Sequence, residues 1–497
     1  SGKHKKDLTQ NCLESATSPY LLQHAENPVH WQEWSDDLLA TARKSNKPLL
    51  VSIGYAACHW CHVMAHESFE NDSIANIMND NFINIKIDRE ERPDLDYIYQ
   101  SALSMMGQQG GWPLTMFCTP EGKPFWGGTY FPPEQRYGRP GFGDVLVSVR
   151  KAYDNQPDTV QKNVKALEDA LKDMNAGRLP DAGDPDQPRQ DAKDDPTNTA
   201  PGEMDITPNL LDDIGDQLLT YIDREKGGLR GAPKFPNPSL LDFLWRNYAR
   251  RGENAFKTAI THTLTNMGNG GIYDHIGGGF ARYSVDENWH VPHFEKMLYD
   301  NALLIDLMGE VWRDTQDPFF ERRVRETCDW ALREMRVEEK GKGRLFAFGS
   351  SLDADSLNPG GNPEEGAFYT WTEKEIRDSL DEDQAKLFIE SFGISKAGNW
   401  PQGSEDRGEG LNIPYRLQEE DSGELSDLEE QLQAACKALF QKREDRPRPF
   451  YDDKVLCDWN GMMIAALARV SRIFNATDLL EAAETAFGFI EKYLSKD

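Results

Sequence analysis

The sequence predicts a multidomain chain, an α/β domain followed by an all-α domain of helical hairpins. Three observations carry this. In the first third, apolar runs of strand length alternate with stretches of helical periodicity. From Pro208 onward the periodicity is almost wholly helical. Between them, residues 181–205 are rich in Pro, Gly, Asp and Gln and hold almost no large apolar side chain, so they cannot support a core. The boundaries read as 1–175, an acidic Pro/Gly-rich linker over 176–206, and 207–497.

The elements follow in order. Asn27-Pro28-Val29-His30-Trp31 breaks regularity before a helix from about Asp36 to Lys44. Leu49–Ile53 is an apolar strand, and Val63 to Phe82 repeats apolar residues every three or four positions as one helix. Phe82-Ile83-Asn84-Ile85-Lys86-Ile87 alternates as a second strand. A helix from Leu95 to Met105, strands at Leu114–Phe117 and Pro124–Trp126, and one helix from Asp144 to Leu171 complete the domain. The second part offers eight long helices: Asn209–Ile222, Ser239–Arg250, Ala255–Met267, His293–Arg313, Phe319–Val337, Leu428–Lys442, Asn460–Phe474 and Asp478–Leu494.

The 497 residues exceed one ordinary core. A formal charge of −29 argues against nucleic acid and anionic membranes as partners, because the phosphate contribution would repel; a solubilising acidic surface is the plainer meaning. No window reaches membrane-helix length, and no signal-peptide pattern is read. Seven scattered cysteines are odd in number and form no secreted framework, which places the chain in a reducing compartment, the cytoplasm.

Chemistry concentrates first at Cys58-His59-Trp60-Cys61-His62, where the strand hands over to the helix. The first sulfur at a helix N-terminus is favoured as thiolate, and the second lies one turn on, close enough to close a disulfide. Cys58 is therefore the candidate nucleophile, Cys61 the resolving thiol, and His59 a group that stabilises the thiolate when charged. Trp112-Pro113 precedes a strand, and an X-Pro bond is the natural place for a cis peptide facing the active sulfur. Three rivals compete. The same residues satisfy a haem-attachment pattern, which the apolar strand before them disfavours. Zinc on Cys58, Cys61, His62 and His66 would wrap one ion from a single short piece. Two inert buried cysteines are the plain structural alternative. No metal or cofactor is expected.

A second cluster follows a glycine-rich break at residues 270–283. Asp274, His275, Arg282, Asp286, His290, His293, Glu295, Lys296 and Asp300 crowd one loop and the start of a helix, on which spacing puts His293, Lys296 and Asp300 on one face. Trp289, Tyr273 and Tyr283 offer stacking faces, and Asp286, His290 or His293 acid–base groups, as a carbohydrate pocket requires. Asp353, Asp355, Glu365, Asp453 and Asp458 are further candidates. The alternative is charges pairing with one another to fix loops.

Strand, Cys58-His59-Trp60-Cys61, helix and Pro113 together resemble the thioredoxin superfamily. The longer run from Ser18-Pro19-Tyr20-Leu21-Leu22 through Asn27-Pro28-Val29-His30-Trp31 to Gly127-Gly128-Thr129-Tyr130-Phe131-Pro132-Pro133 is similar to the spermatogenesis-associated thioredoxin-like proteins and their bacterial relatives. That resemblance implies a thioredoxin-like fold followed by an α/α toroid akin to sugar epimerases and six-hairpin glycosidases. The motifs at 274–280, 292–301 and 453–456 match the family's second part. Two departures stand out. Ser52 lies six residues before Cys58, where thioredoxins carry a buried aspartate, and eight long helices fall short of the roughly twelve of a closed six-hairpin ring, so an incomplete toroid is expected. The implied partners are a protein or small-molecule disulfide or thiol, and a sugar ligand.

Overall fold

The computed structural model describes residues 8–136, 138–175, 206–341, 343–400, 410–417 and 427–495. Two compact units divide between Ile206 and Thr207. Residues 176–205, which hold almost all of the expected linker, lie outside the described residues.

The first unit is built on a four-stranded mixed sheet of order β2-β1-β3-β4, with β1 at Leu49–Gly54, β2 at Ile83–Asp88, β3 at Leu114–Cys118 and β4 at Pro124–Gly128. β1 runs parallel to β2 and antiparallel to β3. One sheet face carries Val51, Ile53, Ile85, Ile87, Leu114 and Met116. It packs against Leu38 and Leu39 of one helix and Tyr99 and Leu103 of another, at about 1.5–3 kcal/mol for each large apolar side chain fully buried. These helices are Asp36–Ser45 (α2, after a short α1 at Pro19–Leu22) and Pro93–Met105.

The opposite face holds Ser52, Asn84, Lys86, Asp88 and Thr115, and all five are buried. The strand expected from the alternation at residues 82–87 is present as β2, and Tyr20 of α1, Trp31 and Phe69 close over its polar side.

Two single helices of the sequence reading are each divided. Val63–Phe82 resolves into α3 (His59–Met64), a π-turn at Ala65–Phe69, and α4 (Asp72–Asn81), because the Asn71 side chain accepts from Ser73 N and Ile74 N and starts a new helix. The helix expected from Asp144 to Leu171 breaks at Pro157, which has no N–H to continue the ladder. With α5 the helix Pro93–Met105, its pieces are α6 (Phe142–Asn155) and α7 (Pro157–Asn175).

Among the described residues the second unit has eight helices of 14 to 18 residues. They are α8 (Pro208–Tyr221), α9 (Pro238–Arg251), α10 (Asn254–Asn269), α11 (Leu298–Thr315), α12 (Pro318–Glu334), α15 (Asp427–Arg443), α16 (Cys457–Phe474) and α17 (Thr477–Tyr493); two shorter ones, α13 (Glu373–Ser379) and α14 (Glu382–Ser391), stand before α15. Neighbours pack as hairpins, α9 with α10, α11 with α12 and α16 with α17. Their common core includes Leu244, Phe256, Leu264, Met308, Trp330 and Leu467.

Short strand pairs bridge the helices at the polar end. Tyr283–Ser284 pairs with Pro292–His293, and Ser351–Leu352 lies between Lys296–Met297 and Tyr451–Asp452. The helix expected from His293 therefore begins at Leu298. Residues 292–293 and 296–297 are taken up in these ladders, so His293 and Lys296 do not share a helical face with Asp300.

Candidate functional site

Cys58 is the N-cap of α3, and the Cys61 N–H donates to its sulfur at 3.2 Å. The two sulfurs are bonded, with Cα atoms 5.3 Å apart. Both are almost fully buried, while Trp60 between them is 50% exposed. His59 is half-buried and meets Trp60 edge-on at 5.7 Å.

The bond before Pro113 is cis. Its loop is fixed from behind: Trp112 Nε1 donates to Asp96 at 2.8 Å, and Arg89 pairs with the same carboxylate at 3.1 Å while lying 4.1 Å over the Trp112 ring. Beside the pair opens a groove of about 670 Å³ lined by Trp60, Trp112, Tyr130, Glu67, Arg136 and Arg139, among others. Tyr130 donates to Glu67 and meets Trp60 at a tilt, ring centroids 5.0 Å apart. A bonded sulfur pair at a helix start, a fixed proline loop and an aromatic groove form an arrangement that thiol–disulfide exchange can use.

Beneath the cysteines lies the buried polar face. Lys86 Nζ donates to Ser52 Oγ at 2.9 Å and sits 4.4 Å over Phe69 and 4.9 Å over Trp31. Burial holds this amine well below the usual lysine range. Tyr20 Oη is buried without a hydrogen-bond partner. Lys86 escaped the sequence reading because alternation disguised it; the cue was a lysine flanked by isoleucines, next to Ser52 in the parallel register.

In the second unit the sequence candidates separate into groups. Asp274 receives two parallel hydrogen bonds of 2.9 Å from Arg443 and one of 2.8 Å from Lys296. Burial alone would raise its pKa, but Arg443 and Lys296 hold the carboxyl far below its ordinary range. Arg443 was not a candidate, since it stands 169 residues away. The signal was Gly277, where an added Cβ would come within 2.0 Å of Arg443 Nη2.

A second group surrounds His293. Its Nδ1 is 2.6 Å from Glu365, its Nε2 3.8 Å from Glu295, and Glu295 pairs with Arg282 at 3.0 Å. Burial opposes charge on the imidazole, but Glu295 and Glu365 outweigh it and raise the pKa to about 9. Tyr283 stacks on His293 at 4.9 Å and on Phe235 at 4.6 Å, forming a column whose outer ring is exposed. Asp355 is the register partner of Glu365, and Asp353 accepts from the Asp355 N–H.

The remaining candidates take other positions. Asp286 accepts from the N–H groups of Asn288, His290 and Val291 and so shapes the loop. His290 contacts Asn399 O at 3.0 Å. His275, pushed down to about 3 chiefly by burial, contacts Gly270 O at 2.9 Å. Asp300 is buried in the first turn of α11. Asp453 and Asp458 are exposed, and the buried carboxylate beside them is Asp452, paired with Lys454. Trp289 and Tyr273 are core residues rather than stacking faces: Trp289 donates to Lys226 O and Tyr273 to Glu326. Among the described residues no group of three or more His, Cys, Asp or Glu side chains is arranged to hold a metal ion, and no helix is long and apolar enough to cross a membrane.

A mixed sheet with a Cys-x-x-Cys at the β1–α3 junction and a cis-proline loop opposite defines a thioredoxin-like domain, here followed by a unit of helical hairpins. Residues 10–172 match the family model Thioredox_DsbH, described as a protein of unknown function, DUF255. The chain is similar to spermatogenesis-associated protein 20: it is 35% identical to the Homo sapiens protein over 99% of its own length and 63% of that protein's. The Rattus norvegicus protein is 36% identical over 98% of this chain and 61% of its own. An uncharacterized Caenorhabditis elegans protein, B0495.5, is 34% identical over 98% of this chain and 65% of its own. The chain thus spans less than two thirds of the length of these relatives. Among solved structures, a DsbH oxidoreductase aligns with 26% of this chain and 86% of its own at 16% identity and a TM-score of 0.20. Cellobiose 2-epimerase from Spirochaeta thermophila aligns with 58% of this chain and 87% of its own at 14% identity and a TM-score of 0.24. At these scores the likenesses carry no argument about chemistry.

Proposed function

We propose that the first unit is a thiol–disulfide exchange centre. Cys58 is the nucleophile, Cys61 resolves the mixed disulfide, Pro113 presents the partner's backbone, and His59 tunes the thiolate. The observation that carries this reading is the sulfur pair itself, bonded at a strand-to-helix junction beside an open groove. Exchange runs through a mixed disulfide on Cys58, which the second sulfur then displaces. The partner is a protein or small-molecule disulfide or thiol. The proposal places this exchange in a reducing, cytoplasmic setting, on the ground that the seven cysteines are few, odd in number and scattered. Reduction of a model disulfide by the purified chain tests the proposal: Cys58→Ser must abolish turnover, and full activity in that variant sinks it.

A second reading concerns the helical unit. His293 between Glu295 and Glu365, with the Tyr283–Phe235 column beside it, favours a carbohydrate site in which the thioredoxin-like domain is accessory. Turnover or binding of a panel of mono- and disaccharides, lost in His293→Ala but indifferent to Cys58→Ser, supports it. No response to any sugar leaves these charges as loop-fixing pairs.

A further inference from the structure

We infer that Lys86, acting through the buried hydroxyls beside it, is the internal proton acceptor for the resolving thiol Cys61. The inference rests on the exchange reading of the cysteine pair.

Three placements support it. Ser52 and Gly54 alternate onto the same face of β1, and a Cβ on Gly54 would lie 2.6 Å from Cys61 Sγ and 2.3 Å from Tyr20 Oη. Thiol and phenol therefore flank one point at the end of the polar face. Two residues back, Ser52 stands in register with Lys86 and accepts its hydrogen bond. Lys86 is 1% exposed, forms no ion pair among the described residues, and has the neutral Ser52 hydroxyl as its hydrogen-bond acceptor.

A lysine sealed under three rings costs stability when charged and contributes little packing that a methionine would not. Its aromatic neighbours soften the charge without removing the desolvation cost. A neutral amine that becomes charged only when a thiolate forms nearby meets both requirements.

The groups around it come from each packed element. Tyr20 comes from α1, His24 from just after it, Ser52 from β1, Asp88 from β2, and His62 from α3. Burial holds the His24 pKa well below its ordinary value. Asp88 is the other possible acceptor, but its oxygens already accept from Ser18 Oγ at 2.7 Å and Glu90 N at 2.9 Å.

The step balances. In the mixed disulfide, the Cys61 S–H proton passes through the Tyr20 or Ser52 hydroxyl to Lys86 Nζ, giving a thiolate and an ammonium. The thiolate attacks Cys58 Sγ, the Cys58–partner S–S bond breaks, and the partner leaves as a thiolate. Loss of the ammonium proton to solvent resets the site.

The test uses the full reduced chain and a symmetrical aromatic disulfide whose thiolate is coloured. The first colour release reports attack by Cys58, and the second reports resolution by Cys61. Between about pH 6 and 9 the second-phase rate of the wild-type chain is expected to vary little, whereas Lys86→Met lowers it about 100-fold near neutrality, makes it rise about tenfold per pH unit, and leaves the first phase unchanged. Asp88→Asn is expected to leave the second phase as in wild type. A Lys86→Met second phase with wild-type rate and profile overturns the inference, as does equal loss of both phases at every pH. Loss of the profile in Asp88→Asn alone moves the role to Asp88. If Lys86→Met does not fold, the wild-type profile decides, since a second phase proportional to hydroxide throughout the range needs no internal acceptor. Absence of any first phase in the wild-type chain brings down the exchange reading itself, and this inference with it.

Discussion

Arg443 grips Asp274 with two parallel hydrogen bonds of 2.9 Å, joining the end of α15 to the glycine-rich loop that follows α10. Lys296 completes the cluster at 2.8 Å. All three side chains are buried or nearly so. Removing one partner of such a set leaves an uncompensated charge, which costs about 3–5 kcal/mol.

Arg443→Ala is accordingly expected to destabilise the second unit by about 3–5 kcal/mol in urea unfolding, and Asp274→Asn in the same background to recover part of the loss. A cost under about 1 kcal/mol would show that water already reaches the carboxylate.

His293 gives a pH dependence of defined sign. Its folded pKa, about 9, lies above the unfolded value, so its stabilisation is complete below about pH 6.5 and is lost as pH rises through 9. The contribution at stake is about 3 kcal/mol. Unfolding midpoints of the second unit measured at both ends of that window should fall in the wild-type chain and stay level in His293→Gln.

Gly54 sets a steric limit on the cysteine site. A Cβ there meets Cys61 Sγ and Tyr20 Oη inside contact distance, so Gly54→Ala should displace one of them and cost about 1–3 kcal/mol. Denaturation with the disulfide closed measures the loss, and slower exchange with an aromatic disulfide shows whether the sulfur has moved.

The thiols should differ sharply toward an alkylating reagent at neutral pH. Burial pushes the Cys118 and Cys328 thiols up, which keeps them protonated and slow. After mild reduction Cys58 should label much faster than either, as mapped by peptide mass. Equal rates would remove the case for an activated sulfur.

How much was legible in the sequence depended on how local the cause was. Cys58 and Cys61 could be read as a pair because strand, turn and helix lie within a few residues of one another, and Pro113 as a cis bond because an X-Pro stands directly before a strand. The eight long helices could be read because each carries its own apolar period. Lys86 could not: the alternation of β2 describes one strand, while what covers it, Tyr20, Trp31 and Phe69, comes from three other segments. His293 and Lys296 were assigned to a helix because ladders to Tyr283 and Leu352 are invisible to local periodicity. The polar crowd at 274–300 was readable as a crowd, but its division into a locked ion cluster and a histidine group needed Arg443 and Glu365 brought in from far along the chain.

The clamp on Asp274 also has a consequence for biosynthesis. While a ribosome is still making α14, the loop of residues 270–283 has already emerged, yet the guanidinium that will seat it has not been translated. Until then Asp274 has only Lys296 to neutralise it, so this part of the protein reaches its final form late and depends on a distant codon.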